Sequence, residues 1–496
     1  MPHGAHTVDL DDEAATVAFA EDIAACLAPG DLVALSGGLG VGKTTFARAL
    51  IRAVADDEGL EVPSPTFTLV QTYAGGRLNV SHFDLYRLAA AAELDEIGFD
   101  DALADGAVVV EWAERAASRL PANRLDVTIA IAIARGGSAR QATVSGGPDW
   151  LARLARSRAA RDFVERAGLP RAARRHLKGD ASTRRYERVR AGGRGAVLMD
   201  WPPQPATDDP RAPFRARDVR AFVAVDGALR AAGLSAPEIH AADMAAGFLL
   251  LEDLGSVGVV EDDAPVAERY DVAIEVLAAI HSRARPGELP LPDGTVHRLP
   301  LLAGAALAAE IDLFAEWYPA HATGKPLDAN ARAGLTAIWA RAFARLDDAE
   351  RSWVLFDMQS PNLIWLADRE GPARLGLLDF QDMFLGPAAY DVASLCQDAR
   401  ATIPAALESA LRARYVALRR ASDAAFDAGA FAEAYAVLAA LRAFKNLGVF
   451  ARLADGFGER GYLGHVPRMR EYLVRNFADP VLSDLAVWYE RHLPPP

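Results

Sequence analysis

The stretch that decides the fold runs from residue 32 to residue 45 and reads Leu32-Val-Ala-Leu-Ser-Gly-Gly-Leu-Gly-Val-Gly-Lys-Thr-Thr45. Its first four residues form an apolar run typical of a buried strand, and the residues after Lys43 have the composition of a helix. Between them, Gly37 to Thr44 has the spacing G-x-x-x-x-G-K-[ST], in which backbone amides surround a phosphate at the start of a helix. Strand, glycine loop and helix in this order predict a binding site for ATP or GTP.

The chemistry of this loop assigns a task to each residue type. Glycines let the backbone fold around the β-phosphate, Lys43 reaches the β and γ oxygens, and the Thr44 hydroxyl ligates Mg²⁺. The alternative is a plain glycine turn. We therefore predict that the nucleotide contacts are made by Gly37, Gly40, Gly42, Lys43, Thr44 and Thr45.

Lysine is scarce in this chain. Only four of the 53 Lys and Arg residues are lysines, at positions 43, 178, 325 and 445. A compact ammonium and a planar guanidinium are not interchangeable, so each retained lysine is a candidate for a task that arginine cannot perform. This bias strengthens the prediction for Lys43.

Magnesium needs an acidic partner in addition to Thr44, and two carboxylates end apolar segments. Asp84 lies in His82-Phe-Asp-Leu-Tyr-Arg87, and Glu111 follows Val108-Val-Val110. A carboxylate at the carboxyl end of a buried strand lies where α/β sheets bind ligands. Either residue could instead be an ordinary surface charge.

The segments around the loop predict an α/β layer with a largely parallel sheet. A helix is expected over residues 13–27, and further strands are expected at 68–70, 107–111 and 127–133. Turn-rich segments follow, and residues 151–178 carry nine basic residues against two acidic ones. This run is interpreted as a solvated linker face or as a patch that contacts RNA or phosphate. A domain boundary is placed near residue 156.

Several runs outside the loop carry a resemblance to a known family: Ser64-Pro-Thr-Phe-Thr-Leu-Val70, Tyr73, His82-Phe-Asp-Leu-Tyr-Arg-Leu88, Glu93-Leu94, Ile97-Gly98 and Val110-Glu-Trp112. With these, residues 1 to about 156 resemble the TsaE (YjeE) family of bacterial ATPases, which serve the synthesis of N6-threonylcarbamoyladenosine at position 37 of tRNA. One departure is Gly38, where many members carry Asp.

The TsaE resemblance implies residue roles and partners. It implies that Thr44 and Glu111 hold Mg²⁺ and that Asp84 supports hydrolysis. It places Thr66 in a switch-like loop and Trp112 near the nucleotide, although Trp112 and His82 could also be core residues. The implied partners are TsaD- and TsaB-like subunits of the threonylcarbamoyltransferase complex, which would hold the tRNA.

The second half contains a constellation suited to phosphoryl transfer. Asp357 and Asn362 stand five residues apart, and Asp379 follows seventeen residues after Asn362. This chemistry needs a carboxylate to accept the hydroxyl proton and Mg²⁺ ligands to neutralise the phosphates. Asp357 suits the first task, and Asn362 and Asp379 suit the second. Strand-like runs at 186–189, 196–199 and 249–251, followed by long helices, predict a small sheet lobe and a larger helical lobe.

Flanking motifs of this half also carry a resemblance: Gly179-Asp-Ala-Ser-Thr-Arg-Arg-Tyr186, Met199-Asp-Trp-Pro-Pro203, Leu251-Glu-Asp-Leu-Gly255, Leu378-Asp-Phe-Gln-Asp382, Gly386-Pro387, Tyr390-Asp-Val-Ala-Ser-Leu395, Lys445-Asn-Leu-Gly-Val-Phe450 and Tyr462-Leu463. From about residue 161 onward the chain resembles aminoglycoside phosphotransferase-like kinases, in the branch of the N-acetylmuramate/N-acetylglucosamine anomeric kinase. This implies a nucleotide loop that includes Ser182, and an amino-sugar acceptor.

Two departures from the kinase pattern keep an alternative open. Leu355 stands where the catalytic loop usually begins with His, and Met199 replaces the usual lysine of the third strand. Arg184 or Arg185 is the predicted substitute for that lysine. An active kinase is preferred over a degenerate nucleotide-binding or regulatory module. His281 and Lys445 are either substrate contacts or parts of a satisfied helix face.

Composition excludes several classes of protein. The 496 residues are 51% hydrophobic with a net charge of −14, which argues against wholesale disorder and against a dedicated nucleic-acid coat. The presence of only two cysteines argues against a disulfide scaffold and against a cysteine-rich zinc module. No signal peptide or membrane span is expected, so we predict a cytoplasmic protein. The predicted domains are 1–156 (P-loop ATPase), 157–255 (kinase-like N-lobe) and 256–496 (helical C-lobe), with ATP and Mg²⁺ as cofactors.

Overall fold

The computed structural model describes residues 6–133, 138–177, 184–205, 215–283 and 285–495. The chain forms two compact units. The first consists of Met1–Pro202 with Ile239–Asp253, and the second of Pro203–Glu238 with Leu254–Pro496. The two units are described separately.

The first unit begins with a seven-stranded sheet in the order β1-β7-β6-β2-β5-β4-β3. Its strands are β1 (His6–Leu10), β2 (Leu32–Ser36), β3 (Val70–Tyr73), β4 (Val80–Asp84), β5 (Ala107–Glu111), β6 (Leu125–Ile131) and β7 (Arg140–Gly146). The helices around it are α1 (Glu13–Cys26), α2 (Lys43–Ala55) and α3 (Phe99–Asp105). The strand–loop–helix order predicted at residues 32–45 is confirmed.

The prediction of a largely parallel sheet holds only at the centre. Strands β4, β5, β2 and β6 run parallel, whereas β3, β7 and β1 are added antiparallel at the edges. The parallel centre is covered on both faces, which agrees with the continuous burial of β5. Strand β7, which lies between β1 and β6, instead alternates between buried and more exposed side chains.

The same unit contains a second, antiparallel sheet of five strands in the order β11-β12-β10-β9-β8. Its strands are β8 (Ala173–Leu177), β9 (Arg185–Ala191), β10 (Arg194–Asp200), β11 (Ile239–Asp243) and β12 (Phe248–Leu251). The predicted pairing of 186–189 with 196–199 is confirmed. The hairpin turns at Gly192 and Gly193, whose φ angles of 56° and 77° match the tight turn that joins twisted strands.

One helix, α4 (Pro148–Arg166), contributes to the cores of both sheets. Trp150 and Leu154 belong to the core of the seven-stranded sheet, whereas Phe163 and Val164 belong to that of the five-stranded sheet. The predicted boundary at residue 156 falls inside this helix, and the three predicted domain ranges stay predictions.

The basic run at 151–178 is divided between exposed arginines, at positions 158, 166 and 171, and arginines that are at least partly buried. Most of its arginines form ion pairs within the first unit: Arg153–Asp31, Arg156–Asp200, Arg161–Asp22, Arg171–Asp12, Arg174–Glu187 and Arg175–Glu21. Both interpretations are wrong for Arg161, Arg174 and Arg175, because their side chains are at most 13% exposed and are buried against carboxylates. Arg171, whose side chain is 62% exposed, fits the solvated face.

The second unit is mostly helical. Its helices are α5 (Val219–Ala231), α6 (Ala267–His281), α7 (Ala305–Thr323), α8 (Ala329–Ala344), α9 (Ala389–Cys396), α10 (Ala405–Ser422), α11 (Ala428–Phe457), α12 (Val466–Phe477) and α13 (Ser483–His492). Four two-stranded sheets accompany them in the described residues of this unit: β13 (Val260–Glu261) with β14 (Ala264–Pro265), β15 (Glu288–Pro290) with β16 (Val296–Arg298), β17 (Arg351–Val354) with β20 (Phe384–Pro387), and β18 (Leu363–Trp365) with β19 (Leu375–Leu377).

Helix α11 is the central helix of this unit. It is long and apolar enough to cross a membrane by composition, but 89% of its most apolar window is buried inside the protein, as in the core helix of a folded domain. Gly448 lets α7 approach closely, since a Cβ there would lie 2.7 Å from the Phe314 backbone. The same helix also contacts the loop that carries Asp357, because Arg442 donates a hydrogen bond to the Phe356 carbonyl.

Candidate active sites

The glycine loop between β2 and α2 has the backbone that the motif requires. Gly37, Gly40 and Gly42 have φ angles of 131°, 72° and 107°, in the region that L side chains rarely adopt. A Cβ on Gly37 would also lie 2.2 Å from the carbonyl oxygen of Ile129. Thr45 follows, half-buried, in the first turn of α2. The loop therefore depends on glycine for both conformation and space.

Lys43 lies folded against this loop. Its Nζ donates to the carbonyl oxygens of Gly37 and Gly38 at 2.8 and 2.9 Å and lies 3.5 Å above the centroid of the Trp112 ring. Burial lowers the pKa of Lys43, and the charges of Glu111, Glu114 and Asp84 oppose that shift. The structure thus brings the predicted phosphate contact Lys43 and the predicted nucleotide neighbour Trp112 together.

Thr44 and Glu111, the two predicted metal ligands, also meet. Thr44 Oγ1 donates to Glu111 Oε2 at 2.9 Å, and His82 Nε2 lies 3.0 Å from Glu111 Oε1. His82 is completely buried, so it is a core residue that also holds the candidate metal ligand. The contact of His82 with Glu111 could have been found from strand position. His82 lies two residues before Asp84 in β4, so both side chains are on the same face of the strand.

The donor set at Thr44 and Glu111 fits magnesium. A hydroxyl and a carboxylate oxygen are hard ligands, and Mg²⁺ at nucleotide sites takes its remaining ligands from phosphate and water. Across the described ranges, no group of three or more His, Cys, Asp and Glu side chains is placed to hold a metal ion by itself. A nucleotide-dependent Mg²⁺ needs no such group.

Asp84 is placed beside Glu111 by the parallel register of β4 and β5. Its Oδ2 accepts from Ser64 Oγ at 2.6 Å and from Thr66 Oγ1 at 2.8 Å, while its Oδ1 accepts from the Tyr86 amide at 2.9 Å. The carboxylate therefore connects the end of β4 to the segment that contains Thr66. Its role in hydrolysis stays a prediction.

In the second unit, Asp357, Asn362 and Asp379 come from one strand–loop–strand region. Asn362 Nδ2 donates to the backbone carbonyl of Asp357 at 2.9 Å, and its own carbonyl accepts from the Leu378 amide at 2.9 Å. Asp379 Oδ1 accepts from Gln381 Nε2 at 3.0 Å. The predicted base and metal ligands are thus brought together.

Asp391 is a site residue that sequence reasoning did not assign. Its carboxylate accepts from the backbone amides of Leu355 and Phe356 at 2.5 and 3.0 Å. Burial raises the pKa of Asp391 to about 7, and the two amides oppose that shift. Asp391 therefore braces the loop at the position where the usual histidine is replaced by Leu355. The only signal was its place in the motif that begins at Tyr390.

Helix α11 supplies two cations to the same loop. Arg442 Nη1 donates to the Phe356 carbonyl at 3.1 Å, and Lys445 Nζ lies 3.7 Å from the centroid of the Phe356 ring. Burial lowers the pKa of Lys445 to about 8, against the charges of Glu310 and Asp357. Lys445 thus contacts the predicted catalytic loop, and its contact with substrate stays a prediction.

The predicted nucleotide contacts of the five-stranded sheet differ in position. Tyr186 pairs with Met199 and Arg185 with Asp200, so Arg185 and Met199 face opposite sides of the sheet. Arg184 has the same parity as Met199, and its guanidinium lies 5.3 Å from the centroid of the Trp201 ring. Ser182 lies outside the described residues. Position therefore favours Arg184 over Arg185 as the substitute for the missing lysine.

His281 is buried on α6, where one of its two ring nitrogens has a hydrogen-bond partner, and both interpretations of it stay predictions. Its Nδ1 lies 2.9 Å from the hydroxyl of Tyr415, while Nε2 has no hydrogen-bond partner in the described part of the chain. Burial, together with the charge of Arg419, lowers the pKa of His281 to about 3.

This histidine should make the second unit sensitive to acid. Below pH 6.5 the unfolded chain takes up a proton that the folded chain does not, so stability falls as the pH falls towards 3, by about 1.4 kcal/mol per pH unit. Urea unfolding of the wild type and of His281→Gln at pH 6.5 and pH 5 checks this. Between the two pH values, the free energy of unfolding should fall by about 2 kcal/mol less in the variant than in the wild type. Equal losses in the two proteins would contradict this role.

Comparisons with known proteins match both halves of the chain. Residues 10–141 match the threonylcarbamoyl adenosine biosynthesis protein TsaE family, and residues 174–432 match the phosphotransferase enzyme family. An N-acetylmuramate/N-acetylglucosamine kinase of Caulobacter vibrioides is 38% identical over 351 residues, 67% of this chain and 95% of that protein. The tRNA threonylcarbamoyladenosine biosynthesis protein TsaE of Rickettsia bellii is 39% identical over 120 residues, 24% of this chain and 83% of that protein.

Among solved structures, a putative aminoglycoside phosphotransferase from Ralstonia eutropha covers 65% of this chain and 97% of its own, with 17% identity and a TM-score of 0.44. Since the phosphotransferase match spans more than half of the 496 residues, the chain belongs to the phosphotransferase enzyme family, with a TsaE ATPase domain preceding its kinase-like domain.

Proposed function

We propose that this protein is bifunctional: its P-loop domain is the ATPase that serves threonylcarbamoylation of tRNA at position 37, and its second activity is an ATP-dependent phosphorylation of an amino sugar. The observation that carries the proposal is that one chain contains two separate phosphate-handling constellations. Lys43 and Thr44 with Glu111 form one, and Asp357 with Asn362 and Asp379 forms the other. Both matched families use ATP with Mg²⁺.

In the P-loop domain, binding and hydrolysis use different residues. Amides of the glycine loop and the Lys43 ammonium bind the phosphates, and Thr44 with Glu111 would hold Mg²⁺, which supplies charge neutralisation. Asp84 accepts hydroxyl hydrogen bonds from Ser64 and Thr66, and it orients the attacking water when that segment rearranges. The water oxygen bonds to the γ-phosphorus, and the bond to the β-phosphate oxygen breaks.

In the kinase half, Asp357 accepts the proton of the attacking hydroxyl. The hydroxyl oxygen bonds to the γ-phosphorus while the bond between that phosphorus and the β-phosphate oxygen breaks, which leaves ADP and a sugar phosphate. Asn362 and Asp379 would hold the Mg²⁺ that neutralises the transferred charge. The acceptor is proposed from the activity for which the Caulobacter relative is named, with N-acetylmuramate and N-acetylglucosamine as its two candidates.

A second candidate function rests on Leu355 and Met199. With these replacements, the kinase-like part would be a nucleotide-binding or regulatory module for the ATPase. The brace from Asp391 supports the active kinase, because it holds the backbone of Leu355 directly. The full chain incubated with ATP, Mg²⁺ and a panel of sugars and aminoglycosides separates the two: a phosphorylated amino sugar supports the kinase, and no phosphorylated product supports the module.

The proposed partners and location follow from the TsaE domain. We place the protein in the cytoplasm, in a complex with TsaD- and TsaB-like subunits that hold the tRNA. ATP turnover in the P-loop domain then resets this complex and does not itself modify RNA. The negative net charge of the chain agrees with indirect contact with tRNA.

The two activities should be separable by single substitutions. Lys43→Ala removes the ammonium that binds the phosphates, so it should abolish ATP hydrolysis in the presence of the TsaD- and TsaB-like subunits and leave sugar phosphorylation intact. Asp357→Ala should do the reverse. Each variant is the control for the other, and loss of both activities from either change would contradict independent sites.

Asp391 should be required for fast phosphorylation. Asp391→Ala leaves the amides of Leu355 and Phe356 without their acceptor, and a shift of about 1 Å in the Asp357 loop costs about 100-fold in kcat. Asp391→Asn keeps one acceptor oxygen and should lose less. Steady-state kinetics of sugar phosphorylation checks both variants, and a wild-type kcat for Asp391→Ala would show that the brace is dispensable.

Arg184 and Arg185 form a matched pair for testing the missing lysine. Arg184→Ala should raise the KM for ATP in the kinase reaction about tenfold, the effect of one lost charge-assisted hydrogen bond. Arg185→Ala should change it less than about twofold, because Arg185 faces the opposite side of the sheet from Met199. The assignment is rejected if neither variant changes the KM or if only Arg185→Ala raises it.

A further inference from the structure

Asp22, on α1 of the P-loop domain, is bound by two arginines from outside the segment that matches the TsaE family. Its Oδ1 accepts from Arg161 Nε of α4 at 2.6 Å and from Arg174 Nη1 of β8 at 2.9 Å. Side-chain exposure is 4% for Asp22 and 2% for Arg174, so this contact is dry. A buried charge pair of this kind connects the P-loop domain to the first strand of the five-stranded sheet.

The charge network continues into the sheet. Arg174 also pairs with Glu187 of β9 through two bonds, from Nε at 2.6 Å and from Nη2 at 3.0 Å. Burial lowers the pKa of Arg174, but the charges of Glu187 and Asp22 outweigh burial and leave it above its ordinary value. Asp22 therefore belongs to a chain of charges that runs from α1 through β8 to β9.

A second contact lies beside the first and involves the end of the helix that follows the phosphate loop. Arg175 Nη1 pairs with Glu21 at 2.5 Å, and its Nη2 lies 3.3 Å from Glu58, just after the end of α2. Since α2 starts at Lys43, the helix that begins at the phosphate loop ends at the five-stranded sheet. Two helices of the P-loop domain thus contact β8.

The cores are joined as well. Helix α4 is a single element of 19 residues, about 28 Å long, and it packs in both cores. The carboxylates of Glu21 and Asp22 lie in the segment that matches the TsaE family, residues 10–141, whereas Arg174 and Arg175 lie in the segment that matches the phosphotransferase family, residues 174–432. The buried pairs therefore join residues of the two matched domains.

We infer that the P-loop domain has a further function: it is a structural part of the kinase nucleotide lobe, and Asp22 couples the fold of the five-stranded sheet to it. Neutralising Asp22 leaves Arg174 with its pair to Glu187 and Arg161 with its longer pair to Glu21, so two buried guanidiniums each lose a counter-charge. Losing a buried counter-charge costs more than losing an exposed pair. Loss of the Asp22 charge should therefore loosen β8 and β9, although these strands lie outside the ATPase site.

Hydrogen exchange of the full chain without nucleotide tests this inference. Asp22→Asn should speed amide exchange in β8 and β9 about tenfold or more. The matched control is Glu13→Gln, on the same helix but exposed, which should leave both strands within about twofold of wild type. Faster exchange confined to α1 in Asp22→Asn would overturn the inference, because the two domains would then be tethered without coupling.

A milder variant and a kinetic readout keep the test decisive. If Asp22→Asn does not fold, Glu21→Gln removes the pair with Arg175 and should speed exchange in β8, whereas unchanged β8 exchange would overturn the inference. A second expectation rests on the proposed kinase function: Asp22→Asn should raise the KM for ATP several-fold and leave kcat nearly unchanged. The exchange result does not depend on any substrate, so failure of the sugar assay alone would reject the proposed activity and not the coupling.

Discussion

The carboxylate of Asp391 is completely buried, and the two backbone amides it accepts belong to the loop that carries Asp357. A buried carboxylate has to find its hydrogen-bond partners within the protein, because water cannot supply them. The same constraint operates at the other functional segments. Glu111 is bound by Thr44 and His82, and Asp84 is bound by the hydroxyls of the Ser64–Thr66 segment. In each case one buried carboxylate is hydrogen-bonded to a functional segment and holds that segment in position.

Lysine and arginine occupy different kinds of site, because each buried cation also needs hydrogen-bond partners within the protein. Arginine, whose planar fork makes several directed hydrogen bonds, forms the structural pairs of α4 and β8. The two lysines that the structure describes as buried, Lys43 and Lys445, instead contact the two loops with predicted chemistry. Lys325 is exposed, and Lys178 lies outside the described residues. Lysine scarcity was therefore informative about position, since a compact ammonium is retained next to phosphate-handling loops.

The sequence predicted what depends on local pattern. The phosphate loop and the cluster of Asp357 with Asn362 were accessible, because motif spacing and strand ends determine them. Spacing left Asp84 and Glu111 as alternative acidic partners of Thr44, and the resemblance to the TsaE family selected Glu111. The bracing by Asp391 was not, since it links a side chain to backbone amides 35 and 36 residues away. The burial of Arg161, Arg174 and Arg175 could not be predicted for a related reason: a run of cations shows its charge locally, but its carboxylate partners come from α1 and from other strands.

The resting arrangement of the phosphate loop explains why it can be both stable and ready to bind. The Lys43 ammonium has already lost most of its water and donates to two neutral carbonyls. Anionic phosphate oxygens are stronger acceptors than carbonyls, so exchange of partners favours the nucleotide without a new cost of burying the charge. Thr44 and Glu111 are likewise already within 2.9 Å of each other. Lys43, Thr44 and Glu111 are therefore already desolvated and ordered before the nucleotide binds. More of the contact energy then contributes to nucleotide affinity.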